Sequence, residues 1–400
     1  MGVNCEVRAV GSKYDNRTVL TPRSLRFWIP CALLLAWFMG AVPLPAQRWE
    51  IQYFFDKRNA NLEIHDLKFL SAVRGVAVAT LTEGRSSRPV CLVTNNGGDS
   101  WDMQRLREPA ISVFFLNESV GWMVSPAGIW KTVESGRSWA KLPGVIRGAL
   151  QVYFLDENRG WAIGERKGAY QTTDGGRSWS RLAALDQVNS RTENTVFLAI
   201  AFAGASRGLI VGHSIPPASQ AGRRGREAGL PDWLSMGRGR RREQPHLLIT
   251  LETQDGGKTW KPATASAFGR VPRVVFRDGG GALALFQFLD DFAVPAEIYQ
   301  LNVPGGSTAR VFARRDRAIT DLATTPRGET LIAAIEPPGE VAWTPMPGKL
   351  KVHRSLNLGE WTEMDVDYRA IARRAVLAVF DDEHAWAATD TGMILRLRSR

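Results

Sequence analysis

The sequence predicts an all-β fold, a seven-bladed β-propeller with four-stranded antiparallel blades, and three observations support this prediction. A turn motif that ends in tryptophan recurs along the chain, in its clearest copies about 40 residues apart. Short alternating apolar segments typical of strands lie between the copies. Glycine and proline, with 38 and 21 copies, supply the many turns that such a fold requires.

The first element is a candidate targeting segment over residues 1–46. Residues 27–44 are almost wholly apolar, and Arg23 and Arg26 lie just before them. This order is typical of a cleaved secretory signal peptide. An uncleaved N-terminal anchor is the alternative, although the apolar stretch is marginal against the ~20 residues that span a bilayer. Both interpretations place residues 47–400 outside the cytoplasm, in a periplasm, in a lumen or at the outer face of the inner membrane.

The turn motif reads Ser/Thr-x-Asp/Asn-x-Gly-x-Ser/Thr-Trp and occurs five times. The Asp or Asn side chain can accept hydrogen bonds from backbone N–H groups, and glycine provides positive φ. The tryptophan is expected to begin the returning strand and to cover the turn. The motif recurs once per repeat, whereas a catalytic site occurs once per protein, so a structural role is predicted. The predicted turn residues are Asn96, Asp174, Asp255, Trp101, Trp139, Trp179, Trp260 and Trp361.

Two copies depart from this pattern. Glu134 replaces the Asp or Asn in the second copy, and the fifth copy, residues 355–361, is one residue shorter. A second signature lies upstream, where residues 113–122 match residues 152–161 and both end in Gly-Trp. One repeat therefore contains four strands, which is one propeller blade.

The blade count reaches seven only if the two ends of the mature chain combine. Four clear blades are followed by two weak ones, at about 271–312 and 319–364. Residues 375–398 supply three strands and no fourth, and residues 48–55 form a strand without a blade of its own. We therefore expect this strand to complete the last blade, which also removes an exposed sheet edge. Six or eight blades are the alternatives.

An arginine-rich insertion at about 214–245 interrupts the fourth blade and accounts for much of the formal net charge of +11. It is either a disordered, solvated loop or an anionic docking segment for a partner protein or lipid surface, since arginine and tryptophan are typical of binding hot spots. The candidate partner-binding residues are Arg223, Arg224, Arg226, Trp233, Arg238, Arg240, Arg241 and Arg242.

No catalytic, cofactor or metal site is predicted. After signal cleavage only Cys91 remains, so no internal disulfide is available. No phosphate-binding glycine loop is present, and the acidic pairs 290–291 and 381–382 fall in expected turns. The histidines have no metal-ligand spacing and are expected to be superficial or isolated. They are His65, His213, His246, His353 and His384.

The recurring Asp-Gly-Gly-x-Ser-Trp turns and Gly-Trp-Ala strands resemble the photosystem II stability/assembly factor family and its bacterial BNR/Asp-box relatives. The resemblance covers most of residues 48–400 and is strongest at 67–182. It implies a seven-bladed propeller and a non-enzymatic role, in which family members bind a photosystem II subunit precursor in the thylakoid lumen or its bacterial counterpart. That family is said to use an arginine patch, but the arginines at 223–242 do not match it position by position.

The prediction is therefore an exported, non-enzymatic and monomeric scaffold that binds a protein partner, such as a membrane-protein complex, with peripheral membrane association. Nucleic acid is excluded because the protein is expected to be exported. A structural repeat domain of an envelope complex is a second interpretation. A glycan-binding or sialidase-like propeller is the third, and its catalysis would need an arginine cluster, a tyrosine nucleophile with a Glu partner and an Asp acid. Several of the tyrosines lie at repeat positions that core packing explains.

Overall fold

The computed structural model describes residues 47–215, 245–277, 281–288, 294–302, 308–337 and 346–399. In these ranges the regular structure is β-strand, apart from two short 3-10 helices in the connection between the third and fourth blades, Ala183–Gln187 and Thr192–Asn194. None of the described helices is long and apolar enough to cross a membrane. The predicted targeting segment, residues 1–46, lies outside the described residues.

The strands form seven antiparallel blades that follow one another along the chain. The first strand, β1 (Gln47–Phe54), joins the last blade. Blade one consists of β2 (Ala60–Phe69), β3 (Gly75–Glu83), β4 (Ser86–Thr94) and β5 (Asp102–Arg105), and blade two of β6 (Ser112–Phe115), β7 (Gly121–Ser125), β8 (Gly128–Thr132) and β9 (Ala140–Lys141). Blade three consists of β10 (Ala149–Phe154), β11 (Gly160–Gly164), β12 (Gly168–Thr172) and β13 (Ser180–Arg181). Blade four consists of β14 (Thr195–Ala203), β15 (Arg207–Ser214), β16 (His246–Thr253) and β17 (Lys261–Ala267).

The remaining blades include the two that the sequence marks only weakly. Blade five consists of β18 (Arg270–Phe276), β19 (Gly281–Gln287), β20 (Ala296–Asn302) and β21 (Thr308–Ala313). Blade six consists of β22 (Ala318–Thr324), β23 (Thr330–Glu336), β24 (Gly348–Ser355) and β25 (Thr362–Val366), and the short β26 (Ile371–Ala372) also pairs with β24. Blade seven consists of β27 (Ala375–Val379), β28 (Ala385–Thr389), β29 (Met393–Ser399) and β1. The predicted seven-bladed, all-β fold is confirmed.

The N-terminal strand closes the propeller, as predicted. β1 pairs antiparallel with β29, so that Trp49 lies opposite Leu397. Its first residues also pair in parallel with β25, and Trp49 lies opposite Val366 there. This second pairing was not predicted, and it joins blades six and seven into one nine-stranded sheet. The Trp49 side chain is fully buried, and its Nε1 donates to Met364 Sδ at 3.3 Å.

The second strand of a blade is among its most deeply buried elements, because neighbouring blades pack on both of its faces. All five residues of β7, β11 and β28 are buried, as expected for strands covered on both sides. The outer strands β9 and β13 are only two residues long and exposed. The core therefore runs as a ring between the blades.

A phenylalanine opposite a glycine recurs where the first strand turns into the second. Phe69 pairs with Gly75, and the same pairing joins Phe115 to Gly121, Phe154 to Gly160 and Phe202 to Gly208. A Cβ added to Gly75 would lie 2.8 Å from the Phe69 ring, so only glycine leaves space for it. This explains the Gly of the Gly-Trp signature, since a ring that covers a glycine restores its lost packing.

The tryptophan of that signature joins one blade to the next. Trp122 stacks on Phe154 of the third blade, with 3.6 Å between ring centroids, and its Nε1 donates to the Gly175 carbonyl at 3.1 Å. Trp386 repeats this arrangement across the closing seam, stacking on Phe69 and donating to the Gly97 carbonyl at 3.0 Å. Each ring thus buries its apolar face and satisfies its one donor.

Polar side chains also link each blade to the backbone of the next, and these links complete a ring. β-Bulges orient several of these side chains toward the next blade. They appear as register shifts just before Asp66, Gln151 and Asp321. The seven links are Asp66 to Val113 N, Ser112 to Leu150 O, Gln151 to Ile200 N, His213 to Val271 N, Arg273 to Leu322 O, Asp321 to Leu377 N and Arg374 to Ile64 O, all between 2.8 and 3.3 Å.

Candidate partner-binding face

The two ends of the propeller are chemically different. Because adjacent strands are antiparallel, the first-to-second and third-to-fourth strand turns open at one end, which we call the turn face. The second-to-third strand turns and the connections between blades open at the other end, which we call the connection face. The turn motifs lie on the turn face, and the arginine-rich insertion leaves from the connection face, between β15 and β16.

Asp174 and Asp255 on the turn face are fully engaged within their own turns. Asp174 Oδ1 accepts hydrogen bonds from Thr172 Oγ1 at 2.8 Å and from Ser178 N at 2.9 Å. The hydroxyl of Ser178 bonds the other oxygen and is the main reason that the pKa of Asp174 lies well below its usual range. Asp255 repeats these contacts with Thr253 and Thr259. Neither carboxylate has a free oxygen for chemistry.

In the variant turns, other side chains also accept hydrogen bonds from within the turn. Asn96 Oδ1 accepts the Ser100 N–H at 3.0 Å. Glu134 bonds Ser138 Oγ at 2.6 Å, so the longer side chain still spans the turn. Asn357, in the shortened copy, accepts the N–H groups of Gly359 and Glu360.

The motif tryptophans cover these turns, but each lies one residue before the outer strand rather than within it. Trp179 precedes β13, and its Nε1 donates to the Gly176 carbonyl at 3.0 Å. Its indole meets the Phe154 ring edge-on, at 6.1 Å between centroids. The side chain bends back over the turn, which takes its residue out of the strand ladder. The other pairs are Trp101 with Phe69, Trp139 with Phe115, Trp260 with Phe202 and Trp361 with Phe312.

The connection face carries exposed arginines whose side chains have no hydrogen bond or ion pair with a described residue. Cations without a carboxylate partner create a positive surface potential that attracts acidic groups. Fewer described carboxylates on this face are similarly unpaired, namely Asp56, Glu165 and Glu193. The unpaired arginines are Arg58, Arg85, Arg107, Arg147, Arg166, Arg191, Arg270 and Arg315.

One of these arginines, Arg166, lies in a turn whose backbone conformation is stabilised by the next residue, Lys167. Arg166 and Lys167 both have φ of 56°, a conformation that costs a non-glycine residue about 1–2 kcal/mol. Lys167 is buried, and its Nζ donates to the Val188 carbonyl at 2.6 Å. Burial lowers the pKa of Lys167. The buried lysine fixes the turn and thereby presents Arg166 to solvent.

Exposed apolar side chains accompany the arginines. Tyr368 is 79% exposed, Val145 61% and Phe54 50%, and all three lie on the connection face. Tyr368 borders a cleft of about 440 Å³ that opens where β25 leaves β24. Aromatic and arginine side chains together form the composition that is enriched at protein interfaces.

The charges of that cleft are mostly paired. Lys351 donates to Glu363 at 2.8 Å, and Asp367 is held by Arg369 at 2.6 Å. Lys349 has no ion-pair partner among the described residues, so the cleft retains one free cation beside the Tyr368 ring.

The expectation that the histidines are isolated is wrong for two of them. His213 and His246 are 0% and 6% exposed, and His246 Nε2 lies 3.2 Å from His213 Nδ1. They lie at the base of the insertion, one on each strand that flanks it, and the sequence separates them by 33 positions. Burial, with the charges of His246 and Arg270, lowers the pKa of His213 to about 3. His213 is neutral, because its Nε2 accepts the Val271 N–H.

Within the described ranges no group of three or more His, Cys, Asp or Glu side chains could hold a metal ion. Asp381 of the acidic pair 381–382 caps a turn through the N–H groups of Glu383 and His384, and Asp382 accepts the Arg327 N–H. The other acidic pair, residues 290–291, lies outside the described residues.

Sequence reasoning missed one tyrosine–carboxylate pair. Tyr299 Oη donates to Glu297 Oε2 at 2.7 Å, and Arg310 holds the other oxygen at 2.8 Å. Burial and the Glu297 hydrogen bond raise the pKa of Tyr299 to about 12, which disfavours a nucleophilic phenolate. The group lies on the third and outer strands of blade five, away from the central channel.

The predicted partner-binding residues of the insertion, Arg223 to Arg242 with Trp233, lie outside the described residues. Their predicted role therefore stays a prediction, and the described arginines of the connection face are different residues. The positions of the connection-face arginines in the sequence could have identified them, because each lies after an outer strand or in the turn between the second and third strands.

The fold and the turns define a seven-bladed propeller of the repeat class that the sequence resembles. Two solved structures are similar over nearly all of their length. "YCF48 bound to D1 peptide" is 18% identical with a TM-score of 0.55, covering 89% of this chain and 98% of that one. "YCF48 from Cyanidioschyzon merolae" is 16% identical with a TM-score of 0.54, covering 88% and 98%. YCF48 is a photosystem II assembly factor, so the resemblance inferred from the repeats is confirmed at the level of the fold.

An ancestral GH74 enzyme is also similar, at 16% identity and a TM-score of 0.46, over 70% of this chain and 34% of that one. A score this low carries no argument about function. No protein-family profile matches the chain, and no curated protein matches it.

Proposed function

We propose that this protein is an exported, non-enzymatic scaffold that binds an acidic segment of a protein partner at its connection face. The proposal is carried by the distribution of charge. The carboxylates of the turn motifs are engaged within their turns, whereas eight of the described arginines on the connection face have exposed, unpaired side chains. Exposed aromatic and aliphatic side chains lie among them. A face of this composition supports binding to an acidic partner, because it combines electrostatic attraction with apolar anchors.

Similarity supports a protein as the partner. YCF48 is solved with a D1 peptide bound, and that property belongs to YCF48. At 18% identity the binding residues do not transfer, so we take from it the class of ligand, a peptide segment. A place in a membrane-protein complex, peripheral membrane association and a lumenal or periplasmic location follow as parts of the same proposal.

A charge-reversal experiment tests the proposal. The change is Arg147→Glu, Arg166→Glu and Arg191→Glu together, and the control reverses two exposed cations of the turn face that have no ion pair with a described residue, Arg137 and Arg177. The measurement is the amount of stoichiometric partner that co-purifies with the chain from membranes of the source organism. A fluorescent D1 peptide is the first defined probe.

We expect the connection-face variant to bind at least about tenfold more weakly and the control to bind as the wild type does. Binding should also weaken as ionic strength rises, because the screening length falls from about 10 Å at 0.1 M salt to 3 Å at 1 M. Equal retention by the two variants would contradict the proposal. Turnover of a sialoside would replace it with the glycan-processing alternative.

The insertion needs a separate test. Deletion of residues 221–242 is expected to weaken partner binding if the insertion is a docking segment. Unchanged binding would assign it to the solvated-loop interpretation, while leaving the connection-face arginines to be judged by their own variants.

A further inference from the structure

The outer strand of blade four differs from the other described outer strands. β17 pairs with β16 at seven consecutive positions without a register shift. β9 and β13 are two residues long, β5 is four residues long, β21 contains a register shift, and β25 is covered by β1. Natural proteins shorten, bend, charge or cover their edge strands, because an open edge recruits other strands. β17 is long and regular; the 3-10 helix Ala183–Gln187 contacts it, and residues 263–266 are exposed.

Pro262 reveals which backbone groups of β17 point outward. Proline has no N–H, so within a regular ladder it takes a position whose backbone groups face away from the partner strand. Pro262 lies opposite Leu251 in an uninterrupted register, and residues with the same parity share its orientation. Thr264 and Ser266 therefore direct their N–H and C=O groups outward. The edge offers two donors and, with the Pro262 carbonyl, three acceptors.

The side chains along this edge leave room for another strand. Ala263, Thr264, Ala265 and Ser266 are all exposed and small, and no charged residue stands between Lys261 and Ala267. A charge at the centre of an edge is the usual protection against strand addition. Here the charges lie only at the start of the strand and beyond its end.

Those flanking charges are positive. Lys258 and Lys261 lie near the start of β17, Arg270 follows its end, and none of the three has an ion pair with a described residue. Nearby carboxylates are already engaged, Asp255 in its turn and Asp186 with Arg181. Glu252, opposite Lys261, is partly buried. The flanks thus favour acidic groups on an incoming chain.

The molecule itself fills another blade edge by strand addition. β1, from the opposite end of the described chain, joins β29 as the fourth strand of blade seven. Main-chain hydrogen bonds to a sheet edge are a general means of recognising extended peptides.

We propose that the outer edge of β17 binds an extended, acidic segment of a partner protein as a fifth strand of blade four. This site lies on the rim of the propeller and shares only Arg270 with the connection-face arginines, so it extends the proposed function. This site requires the bound segment to be an extended strand, whereas the connection-face arginines select only for its negative charge.

The test uses the full chain and a defined probe, a fluorescein-labelled ten-residue peptide of alternating valine and threonine with glutamate at both ends. A second copy of the peptide is N-methylated on alternate amides and cannot complete a ladder. Thr264→Pro removes one outward N–H while keeping the inner ladder, as Pro262 does naturally. Thr264→Val keeps the N–H and is the matched control. Binding is read by fluorescence anisotropy, and amide exchange follows Thr264 and Ser266.

We expect the probe to bind the wild type and the valine variant within twofold, and the proline variant and the methylated probe to bind at least about tenfold more weakly. Exchange at Thr264 and Ser266 should slow on binding. If the proline variant does not fold, the methylated probe decides alone. The Arg147/Arg166/Arg191 reversal should leave probe binding unchanged, which separates this site from the connection face.

Several results would overturn the proposal. One is no binding of the unmodified probe, and another is equal binding of the methylated one. A dimer that sedimentation detects in the wild type and not in the proline variant would assign the edge to a second copy of this chain instead.

Discussion

Removal of the Trp49 side chain should open the propeller at its closing seam. This residue is fully buried between blades six and seven and belongs to the strand that pairs with both. A tryptophan buries about 150–250 Å², which at about 25 cal/mol per Å² corresponds to about 4–6 kcal/mol. Alanine retains part of that burial, and Trp→Ala in a core costs about 3–5 kcal/mol. We therefore expect Trp49→Ala to lower the free energy of unfolding by about 4 kcal/mol.

Urea unfolding monitored by circular dichroism measures this loss, and amide exchange locates it. Because β1 bridges two blades, exchange should rise in β1, β29 and β25 together, while blades two and three stay protected. Trp179→Ala is the control. That side chain is partly exposed and packs on its own turn and on Phe154 of the same blade, so we expect about half the loss, confined to blade three.

Two outcomes would refute this reasoning. The first is a loss below about 1 kcal/mol for Trp49→Ala, which would mean that the seam does not depend on burial of this ring. The second is faster exchange in β29 alone, which would mean that the parallel pairing with β25 contributes nothing to closure.

Two further predictions concern the repeats. Gly160→Ala places a methyl group against the Phe154 ring and should lower the free energy of unfolding by about 2–3 kcal/mol through overpacking. Gly204→Ala, at a positive φ with open space around it, should lower it by only about 1 kcal/mol. Thermal unfolding compares the two variants, and equal losses of stability would contradict the packing argument. The folded-state pKa of Asp174 is depressed, so its stabilisation is complete above the ordinary carboxyl pKa of about 4 and is lost as the pH falls below it. The difference in melting temperature between the wild type and Asp174→Ala should therefore shrink from pH 6 to pH 3, and a constant difference would contradict this assignment.

The turns could be predicted because their interactions are local. In the third blade the bonds among Thr172, Asp174, Gly176 and Ser178 span at most four residues, so residue types at fixed spacing suffice to identify them. The closing strand was also predictable, because the blade count left one strand missing near the C-terminus and one strand without a blade near the N-terminus.

The candidate site was much less predictable. The sequence directed attention to the arginines at 223–242, since a dense cluster is visible in one dimension. The connection-face arginines come from separate blades, and only the alternation of strand direction brings them to one end. The exposure of the β17 edge likewise depends on which other segments pack beside it. The sequence of residues 261–267 alone does not reveal this.

The sequence by itself determined the repeat and the turn chemistry, since each of these is set within one unit of the chain, and it favoured seven blades over six or eight. The tertiary structure alone decided how the units join. The link from Asp66 to Val113, the His213–His246 contact and the double pairing of β1 connect residues 33 or more positions apart. Such contacts depend on bulges and blade packing that orient a side chain, and these are properties of the assembled ring rather than of a local pattern.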